Sequence, residues 1–356
     1  MKINFAMWRT ALWTLVKMDK KEEWDSLDVV SKWLIATRSG VTTVTIYSCI
    51  IAGLLAWRYF AANNMPFPWI PWLIVTLGLF LAHGTNNILN DYTDYSRGID
   101  SDNYFRTQYG VHPLVQGFWD TKTQLRWFYV SGTLAFAAGL YALWYTGFDK
   151  IVLGLFAIGV FALLFYTYPL KHLALGEVSI FLIWGPILIG GVYYVLTQQW
   201  NWLVALAGVP FGLTVASINF GKHIDKLADD KKKGVTTLPV AIGEKAARYV
   251  NMAVVVVAYA VVVYLIFGPR FFTPIMLIIF FAIRRAILVI RVLTKPKPAE
   301  PPKEWTNWPT WFSGFAFHHN RLYGGLLILG ILLDSLARIF VPGFITQYWG
   351  MLLPMQ

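Results

Sequence analysis

The strongest constraint on this chain is a series of apolar stretches, each close to the roughly 20 residues that an α-helix needs to cross a bilayer. Charged residues make up only 14% of the sequence, whereas soluble domains carry roughly 25%. Because a backbone inside a bilayer must satisfy its own hydrogen bonds, the pattern predicts an all-α integral membrane bundle. The nine predicted transmembrane helices are 41–60, 69–90, 126–146, 149–167, 176–196, 201–221, 246–267, 271–291 and 322–341.

The Lys and Arg residues predict the orientation of this bundle. They are concentrated before the first apolar stretch and after the second, sixth and eighth, as the positive-inside rule requires of cytoplasmic segments. We therefore expect a multi-pass protein of the inner or cytoplasmic membrane with a cytoplasmic N-terminus. The same distribution accounts for the net charge of +11, so we expect no nucleic-acid partner. Cys49 is the only cysteine, which excludes an intramolecular disulfide and a Cys-based metal cluster.

The chain divides into three predicted regions. Residues 1–32 resemble an amphipathic, Trp-bearing helix with a charged segment after it, which is typical of a segment lying on the membrane surface. Docking to a partner membrane protein is the alternative role for this region. Residues 33–345 form one transmembrane domain with a cytoplasmic loop at 292–320 rich in Pro and Trp, and residues 346–356 form a C-terminal tail.

A polar motif follows the second apolar stretch. At helical spacing, Asn87, Asp91 and Asp94 share one face, since they stand at i, i+4 and i+7. Carboxylates this close to an apolar core are costly unless they are paired, hydrated or bound to a cation. The motif therefore predicts a functional site at the end of this helix.

A second acidic group, Asp225 and Asp229, follows the sixth stretch at i, i+4 spacing. Either group alone is more simply explained as a solvated helix end, but the predicted orientation places both on the cytoplasmic side. Magnesium prefers oxygen ligands, and it commonly combines one or two carboxylates with phosphate oxygens of a substrate. We therefore predict a shared magnesium site for an amphiphile with a diphosphate head. A transporter is less favoured, because both groups lie at one face rather than at the midplane.

These motifs carry a resemblance to a known family. The segment Asn87–Asp100 is similar to the first motif of the UbiA superfamily of intramembrane prenyltransferases, and Asp225–Gly243 resembles the second motif with its Gly…Thr-Leu-Pro-Val…Gly signature. Between them, Tyr166–Pro186 resembles the central segment of the 1,4-dihydroxy-2-naphthoate polyprenyltransferase branch, which acts in menaquinone synthesis. The likeness runs from about Trp33 to the end of the eighth apolar stretch.

The resemblance implies nine helices around a central cavity, dependence on Mg²⁺, and transfer from a polyprenyl diphosphate to an aromatic ring acceptor. In the naphthoate branch, the ring carbon that bears the carboxylate is attacked and carbon dioxide is lost. The site residues that it implies fall into three overlapping groups. The implied metal ligands are Asn87, Asp91, Asp94, Asp225 and Asp229. The implied catalytic residues are the four carboxylates of this set and Tyr168. The residues implied to contact the diphosphate and the prenyl group are Asn87, Asn90, Arg97, Arg106, Tyr166, Lys171 and Lys222.

The chain also departs from the family pattern. Ile224 stands where the second motif often has Arg, and the first cytoplasmic loop reads His112-Pro113-Leu114-Val115-Gln116-Gly117 in place of a basic residue after Pro-Leu. The acceptor is therefore open: chlorophyllide, haem, 4-hydroxybenzoate or glyceryl phosphate are alternatives to the naphthoate. An accessory subunit of a membrane complex is the alternative outside enzyme chemistry.

Overall fold

The computed structural model describes residues 3–100, 104–303, 305 and 307–349, which form helices and no β-strand. Short 3₁₀ helices at Phe105–Gln108, Leu170–Leu173 and Pro274–Ala282, and a π-helical turn at Ile183–Ile187, connect longer α-helices. The α-helices are α1 Phe5–Trp13, α2 Lys21–Ser26, α3 Val29–Ala36, α4 Ser39–Ala62, α5 Trp69–Ser96, α6 Thr121–Tyr145, α7 Lys150–Phe165, α8 Gly176–Leu182, α9 Leu188–Thr197, α10 Trp202–Asp225, α11 Leu227–Lys232, α12 Leu238–Ile242, α13 Glu244–Phe267, α14 Ile283–Leu293, α15 Phe312–Phe340 and α16 Pro342–Trp349.

Seven segments of the described chain are long and apolar enough to cross a membrane. They comprise α4, α5, α6, the α8–α9 pair, α10, α13 and α15. The other two predicted helices correspond to the shorter α7 and to the 3₁₀ segment that continues into α14. The all-α membrane bundle is therefore confirmed, whereas the count of nine spans stays a prediction.

Helix α10 is the centre of the bundle. It is the most enclosed span, with 72% of its apolar window buried, compared with 17% for α6 at the periphery. It packs against α13, α15, α8 and α9. The second acidic motif, which lies at the end of α10, is therefore positioned by packing on several sides.

Small residues bring α10 against the kinked α8–α9 helix. Gly185, next to Pro186, has non-helical backbone angles, and it lies against Gly208 and Gly212 of α10. A Cβ atom on Gly212 would be 2.6 Å from the Phe181 carbonyl oxygen. Such close backbone approach is a common way for membrane helices to pack, and it explains why glycines occupy this crossing.

Two helices extend beyond the predicted ranges. Helix α5 continues to Ser96, so Asn87, Asp91 and Asp94 lie on one unbroken helix as the spacing predicts. Helix α15 begins at Phe312, so the last part of the predicted 292–320 loop is its first two turns. Of the predicted C-terminal tail, residues 350–356 lie outside the described residues.

The N-terminal segment packs against the bundle. Trp24 is 2% exposed, and its ring lies 5.5 Å from the Phe118 ring and 5.4 Å from the Trp119 ring. The indole nitrogen of Trp8 donates to Asp28 at 3.0 Å, which ties α1 to the start of α3. Helices α1 to α3 therefore have a fixed position over one end of the membrane helices.

We predict that Gly212→Val lowers the free energy of unfolding by about 1–3 kcal/mol, since two methyl groups would be forced into backbone atoms of the α8–α9 helix. Thermal unfolding of the purified protein in detergent measures this change. Gly325→Val is the matched control, because a Cβ at Gly325 meets no atom within 4 Å. Equal melting temperatures for the two variants would contradict the close crossing.

Candidate active site

A polar cavity of about 300 Å³ lies where α5 and α10 end. Among the described residues, its wall contains seven Lys or Arg side chains but only one carboxylate, that of Asp94. The seven basic residues are Lys17, Arg38, Arg106, Lys171, Lys222, Lys226 and Arg321. This excess of positive charge favours an anionic ligand.

The first motif supplies one wall of the cavity. Asn87, Asn90 and Asp94 line it directly from α5. Asp91 does not line the cavity and is 1% exposed. The spacing grouped Asn87, Asp91 and Asp94 on one face, whereas the side chains that line the cavity are Asn87, Asn90 and Asp94.

Asp91 is held by two arginines. The Nε and a terminal nitrogen of Arg106 donate to its two oxygens at 3.1 and 2.6 Å, and Arg38 lies 3.4 Å from Oδ1. Burial favours the neutral form of Arg106, but the Asp91 carboxylate holds the pKa of this guanidinium above its usual range. A forked guanidinium facing a carboxylate is a strong, geometrically specific pair.

Asp94 has a different partner on the cavity wall. The Lys171 ammonium donates to both of its oxygens, at 3.0 and 2.7 Å. Both side chains are largely buried. The predicted diphosphate ligand Lys171 is thus brought to the first motif, where it neutralises one of the predicted metal ligands.

Arg38 was not predicted as a site residue. Its guanidinium donates to the side-chain oxygens of Asn87 at 3.0 Å and Asn90 at 3.4 Å, and it also contacts Asp91. Its backbone is left-handed, with φ at 55°, where the chain turns into α4. In the sequence, Arg38 is only one of several basic residues before the first apolar stretch, and these were interpreted as a signal of membrane orientation.

The structure corrects the expected placement of Asp225 and Asp229. Asp225 accepts hydrogen bonds from the backbone nitrogens of Trp311, Phe312 and Ser313, each at 3.0 Å, and from the Ser313 hydroxyl at 2.6 Å. It therefore caps the start of α15. Asp229 is half-buried, and neither carboxylate lines the cavity.

The reason is a break in the helix. Helix α10 ends at Asp225, Lys226 has non-helical backbone angles, and α11 begins at Leu227. The two carboxylates flank this junction and have different surroundings, since Asp225 is buried against the start of α15 and Asp229 is half-buried. Their role as magnesium ligands stays a prediction.

The buried carboxylate near this junction is Asp230. The Lys226 ammonium and the Tyr104 hydroxyl each donate to its Oδ1 at 2.5 Å. Burial opposes ionisation, but Lys226 holds the pKa of Asp230 below its usual range. Lys226 and Tyr104 line the cavity, and Asp230 holds them in place from behind its wall. Neither Lys226 nor Asp230 was singled out from the sequence.

The remaining predicted residues divide into two sets. Tyr166 and Lys222 line the cavity. Arg97 and Tyr168 do not: both are exposed, and the guanidinium of Arg97 lies 3.9 Å from the centre of the Tyr168 ring. The structure therefore brings Asn87, Asn90, Asp94, Arg106, Tyr166, Lys171 and Lys222 to one cavity, and it leaves Asp91, Arg97, Tyr168, Asp225 and Asp229 off its wall.

A second cavity of about 590 Å³ adjoins the polar one. Its wall is almost entirely apolar and is formed by α5, α6, α7 and α9. Both cavities share His83, Asn86, Tyr166 and Trp184, which therefore mark their junction. The pair of cavities suits a ligand with an anionic head and a long apolar tail.

The oxygen atoms that magnesium prefers lie on the first-motif wall. They are the Asp94 carboxylate and the side-chain oxygens of Asn87 and Asn90. Among the described residues, no three His, Cys, Asp or Glu side chains form a cluster that could hold a metal ion. A magnesium site here is therefore one that uses amide oxygens, with the remaining ligands coming from substrate or water.

Comparison with known families decides the class of protein. The model of the UbiA prenyltransferase family matches residues 47–320, which is most of the chain. The chain belongs to this family. The family predicted from the sequence motifs is confirmed, and so is the enzyme class, a prenyltransferase.

Two curated relatives within the family illustrate its range. The 1,4-dihydroxy-2-naphthoate octaprenyltransferase of Bacillus subtilis (strain 168) is 24% identical over 259 residues, which cover 72% of this chain and 79% of the relative. The 2-carboxy-1,4-naphthoquinone phytyltransferase of Synechocystis is 29% identical over 180 residues, covering 49% of this chain and 55% of the relative.

A solved structure supports the fold of this UbiA family member. The apo structure of a UbiA homolog from Aeropyrum pernix K1 superimposes with a TM-score of 0.60 at 17% sequence identity. The match covers 82% of this chain and 97% of that chain. The helical membrane architecture is thus shared even where the sequences have diverged.

We predict that Asp225→Ala lowers the melting temperature of the protein, since it leaves three backbone N–H groups at the start of α15 without their acceptor. The loss corresponds to about 1–2 kcal/mol for the helix cap. Thermal unfolding with and without Mg²⁺ separates this role from metal binding. If Mg²⁺ stabilises the wild type but not Asp225→Ala, Asp225 is a metal ligand as well as a cap. Equal melting temperatures of the two proteins without Mg²⁺ would contradict the predicted contribution of the cap.

Proposed function

We propose that this protein transfers a polyprenyl group from polyprenyl diphosphate to the aromatic ring of 1,4-dihydroxy-2-naphthoate, with Mg²⁺ as its cofactor. The observation that carries the proposal is the junction of a strongly basic cavity with a larger apolar one in a member of the UbiA family. An anionic head and a hydrocarbon tail would each find a matching environment on either side of that junction.

The diphosphate would bind at the inner wall of the polar cavity, by which we mean the part formed by Arg106, Lys171, Lys222 and Lys226. Lys222 has no carboxylate within ion-pair distance among the described residues, and it lines the cavity beside Lys226. Arg106 and Lys171 are already fixed by carboxylates, so their positions are set before substrate arrives. Preorganised cations stabilise the negative charge that develops on a departing diphosphate without having to reorganise.

Magnesium would be held on the first-motif wall by Asp94 with the amide oxygens of Asn87 and Asn90. A bound Mg²⁺ neutralises charge on the diphosphate oxygens and so makes diphosphate a better leaving group. Asp91 supports this wall by holding Arg106, and we infer no direct contact between it and substrate. The metal-binding role predicted for Asp225 depends on the measurement described above, and that of Asp229 stays a prediction.

The prenyl tail would lie in the apolar cavity. The bond between the tail and the diphosphate would then lie near the junction, beside Tyr166 and Trp184. Aromatic faces attract cations, so both rings are suited to stabilise positive charge on the allylic carbon as diphosphate departs. The apolar wall beyond them would also keep water away from this carbon.

The proposal of a naphthoate acceptor is supported by the central segment of the sequence and by the activities after which the Bacillus subtilis and Synechocystis relatives are named. The positive charge of the cavity is compatible with an acceptor that carries a carboxylate. The distribution of Lys and Arg supports a site open to the cytoplasmic side of the inner or cytoplasmic membrane.

We predict that Lys171→Met reduces prenyl transfer roughly 100-fold or more, because the variant removes a fixed positive charge from the diphosphate wall. Turnover of labelled polyprenyl diphosphate with 1,4-dihydroxy-2-naphthoate in reconstituted membranes measures the effect. Lys150→Met is the control: Lys150 is exposed at the first residue of α7, about 24 Å along that helix from Tyr166 on the wall of the polar cavity. Equal rates of prenyl transfer for the two variants would contradict the proposed binding of diphosphate at the inner wall.

Removal of divalent cations is a separate prediction. We expect a chelator to stop turnover, and added Mg²⁺ to restore it, because the charge on the leaving diphosphate would otherwise be only partly neutralised. The control is the same protein with chelator already saturated by Mg²⁺. Full turnover in the presence of excess free chelator would rule out the cofactor.

A further inference from the structure

The outer end of the polar cavity includes residues from parts of the chain that lie outside the family match at 47–320. Trp13 and Lys17 come from the N-terminal segment, and Arg321 follows directly after the matched range. Trp13 and Lys17 are exposed, whereas Lys171 and Lys226 at the inner wall are buried. Three of the side chains at the outer end therefore come from outside the matched range, and Phe317 comes from within it.

The basic residues at the two ends differ in their partners. At the inner wall, Lys171 and Lys226 are paired with Asp94 and Asp230. At the outer end, Lys17 and Arg321 have no carboxylate within ion-pair distance among the described residues. A half-buried guanidinium without a counter-charge favours binding of an anion from outside the chain.

Arg321 also lies between two aromatic rings. Its guanidinium carbon is 4.4 Å from the centre of the Phe317 ring and 5.2 Å from the centre of the Trp13 ring. One terminal nitrogen donates to the Gly40 carbonyl oxygen at 3.2 Å, the only hydrogen bond from Arg321 to the described residues. A guanidinium has five N–H donors, so donors remain for a ligand.

Several contacts fix the N-terminal part of this wall. Gly40 fits closely against the backbone of Thr14, where an added Cβ would be 2.8 Å from the carbonyl oxygen. The backbone nitrogen of Val111 donates to the Val16 carbonyl oxygen at 3.1 Å, and the Gln116 amide donates to the Met18 carbonyl oxygen at 2.8 Å. Trp13 and Lys17 are therefore on a segment of defined position.

We infer that this outer end binds the acceptor, as a planar aromatic ring that carries a carboxylate. The carboxylate contacts Arg321 and Lys17, and the ring packs beside Trp13 and Phe317. The inference rests on the proposed function, because the inner wall and the apolar cavity are then taken by the prenyl diphosphate. The acceptor ring accordingly approaches the allylic carbon from the opposite side of the cavity.

The test compares Arg321→Gln and Lys17→Met with Arg9→Gln, in which an exposed basic residue of α1 away from the cavity is neutralised. Turnover is measured in nanodiscs with 1,4-dihydroxy-2-naphthoate and with 1,4-dihydroxynaphthalene, which lacks the carboxylate. We expect the KM for the naphthoate to rise about tenfold or more in the first two variants, since each loses a charge-assisted hydrogen bond. The KM for prenyl diphosphate, the turnover of the diol and all values for Arg9→Gln should stay unchanged.

Equilibrium dialysis of labelled naphthoate against the same proteins separates the subsite from the reaction. If the wild type binds naphthoate without turning it over and Arg321→Gln loses this binding, the subsite is supported and the proposed function is rejected. Turnover with unchanged naphthoate binding and KM in both variants would overturn the subsite. Lys17→Met guards against a folding defect, because Lys17 is exposed.

A lipid headgroup could supply the same anion chemistry. The KM measurements are therefore repeated in nanodiscs of zwitterionic lipid and of anionic lipid. An effect of Arg321→Gln in both supports an acceptor site. An effect confined to anionic lipid would indicate that Arg321 binds a lipid headgroup, and a raised KM for prenyl diphosphate would indicate that it binds the diphosphate. Either result would overturn the inference.

Discussion

The site depends on the pairing of carboxylates with Arg and Lys inside an apolar helical bundle. Ionised groups are costly to remove from water, so each buried carboxylate needs a hydrogen-bonded counter-charge. Asp91 has Arg106, Asp94 has Lys171, and Asp230 has Lys226. Each pair except the last joins residues from separate segments, so the pairs also determine which loops are held around the cavity.

This pairing gives the cavity its charge. The carboxylates are neutralised by residues of the chain, and Asp91 and Asp230 do not line the cavity, whereas Lys222 and Arg321 remain on its wall without a carboxylate partner among the described residues. The net effect is a positive cavity at the end of a bundle whose other large cavity is apolar. A ligand with a charged head and an oily tail can bind there without leaving either part in an unfavourable environment.

The two acidic motifs show how far the sequence could predict this arrangement. The first motif lies on an uninterrupted helix, so its spacing predicted that Asn87 and Asp94 would line one cavity, but it did not show that Asp91 would lie off the wall. The second motif spans the junction at Lys226, and no local signal in the sequence showed that α10 would end at Asp225. Arg38 was equally hidden, because its role depends on a left-handed turn that brings it across to Asn87.

The cap on α15 connects these observations. By accepting the first N–H groups of that helix, Asp225 starts it at the end of α10 instead of ten residues later, where hydropathy alone placed it. Gly314, Phe317 and Arg321 then recur at helical spacing and face the cavity from one side. Whether or not Asp225 also binds metal, its cap determines where the helix that carries the outer basic residue Arg321 begins.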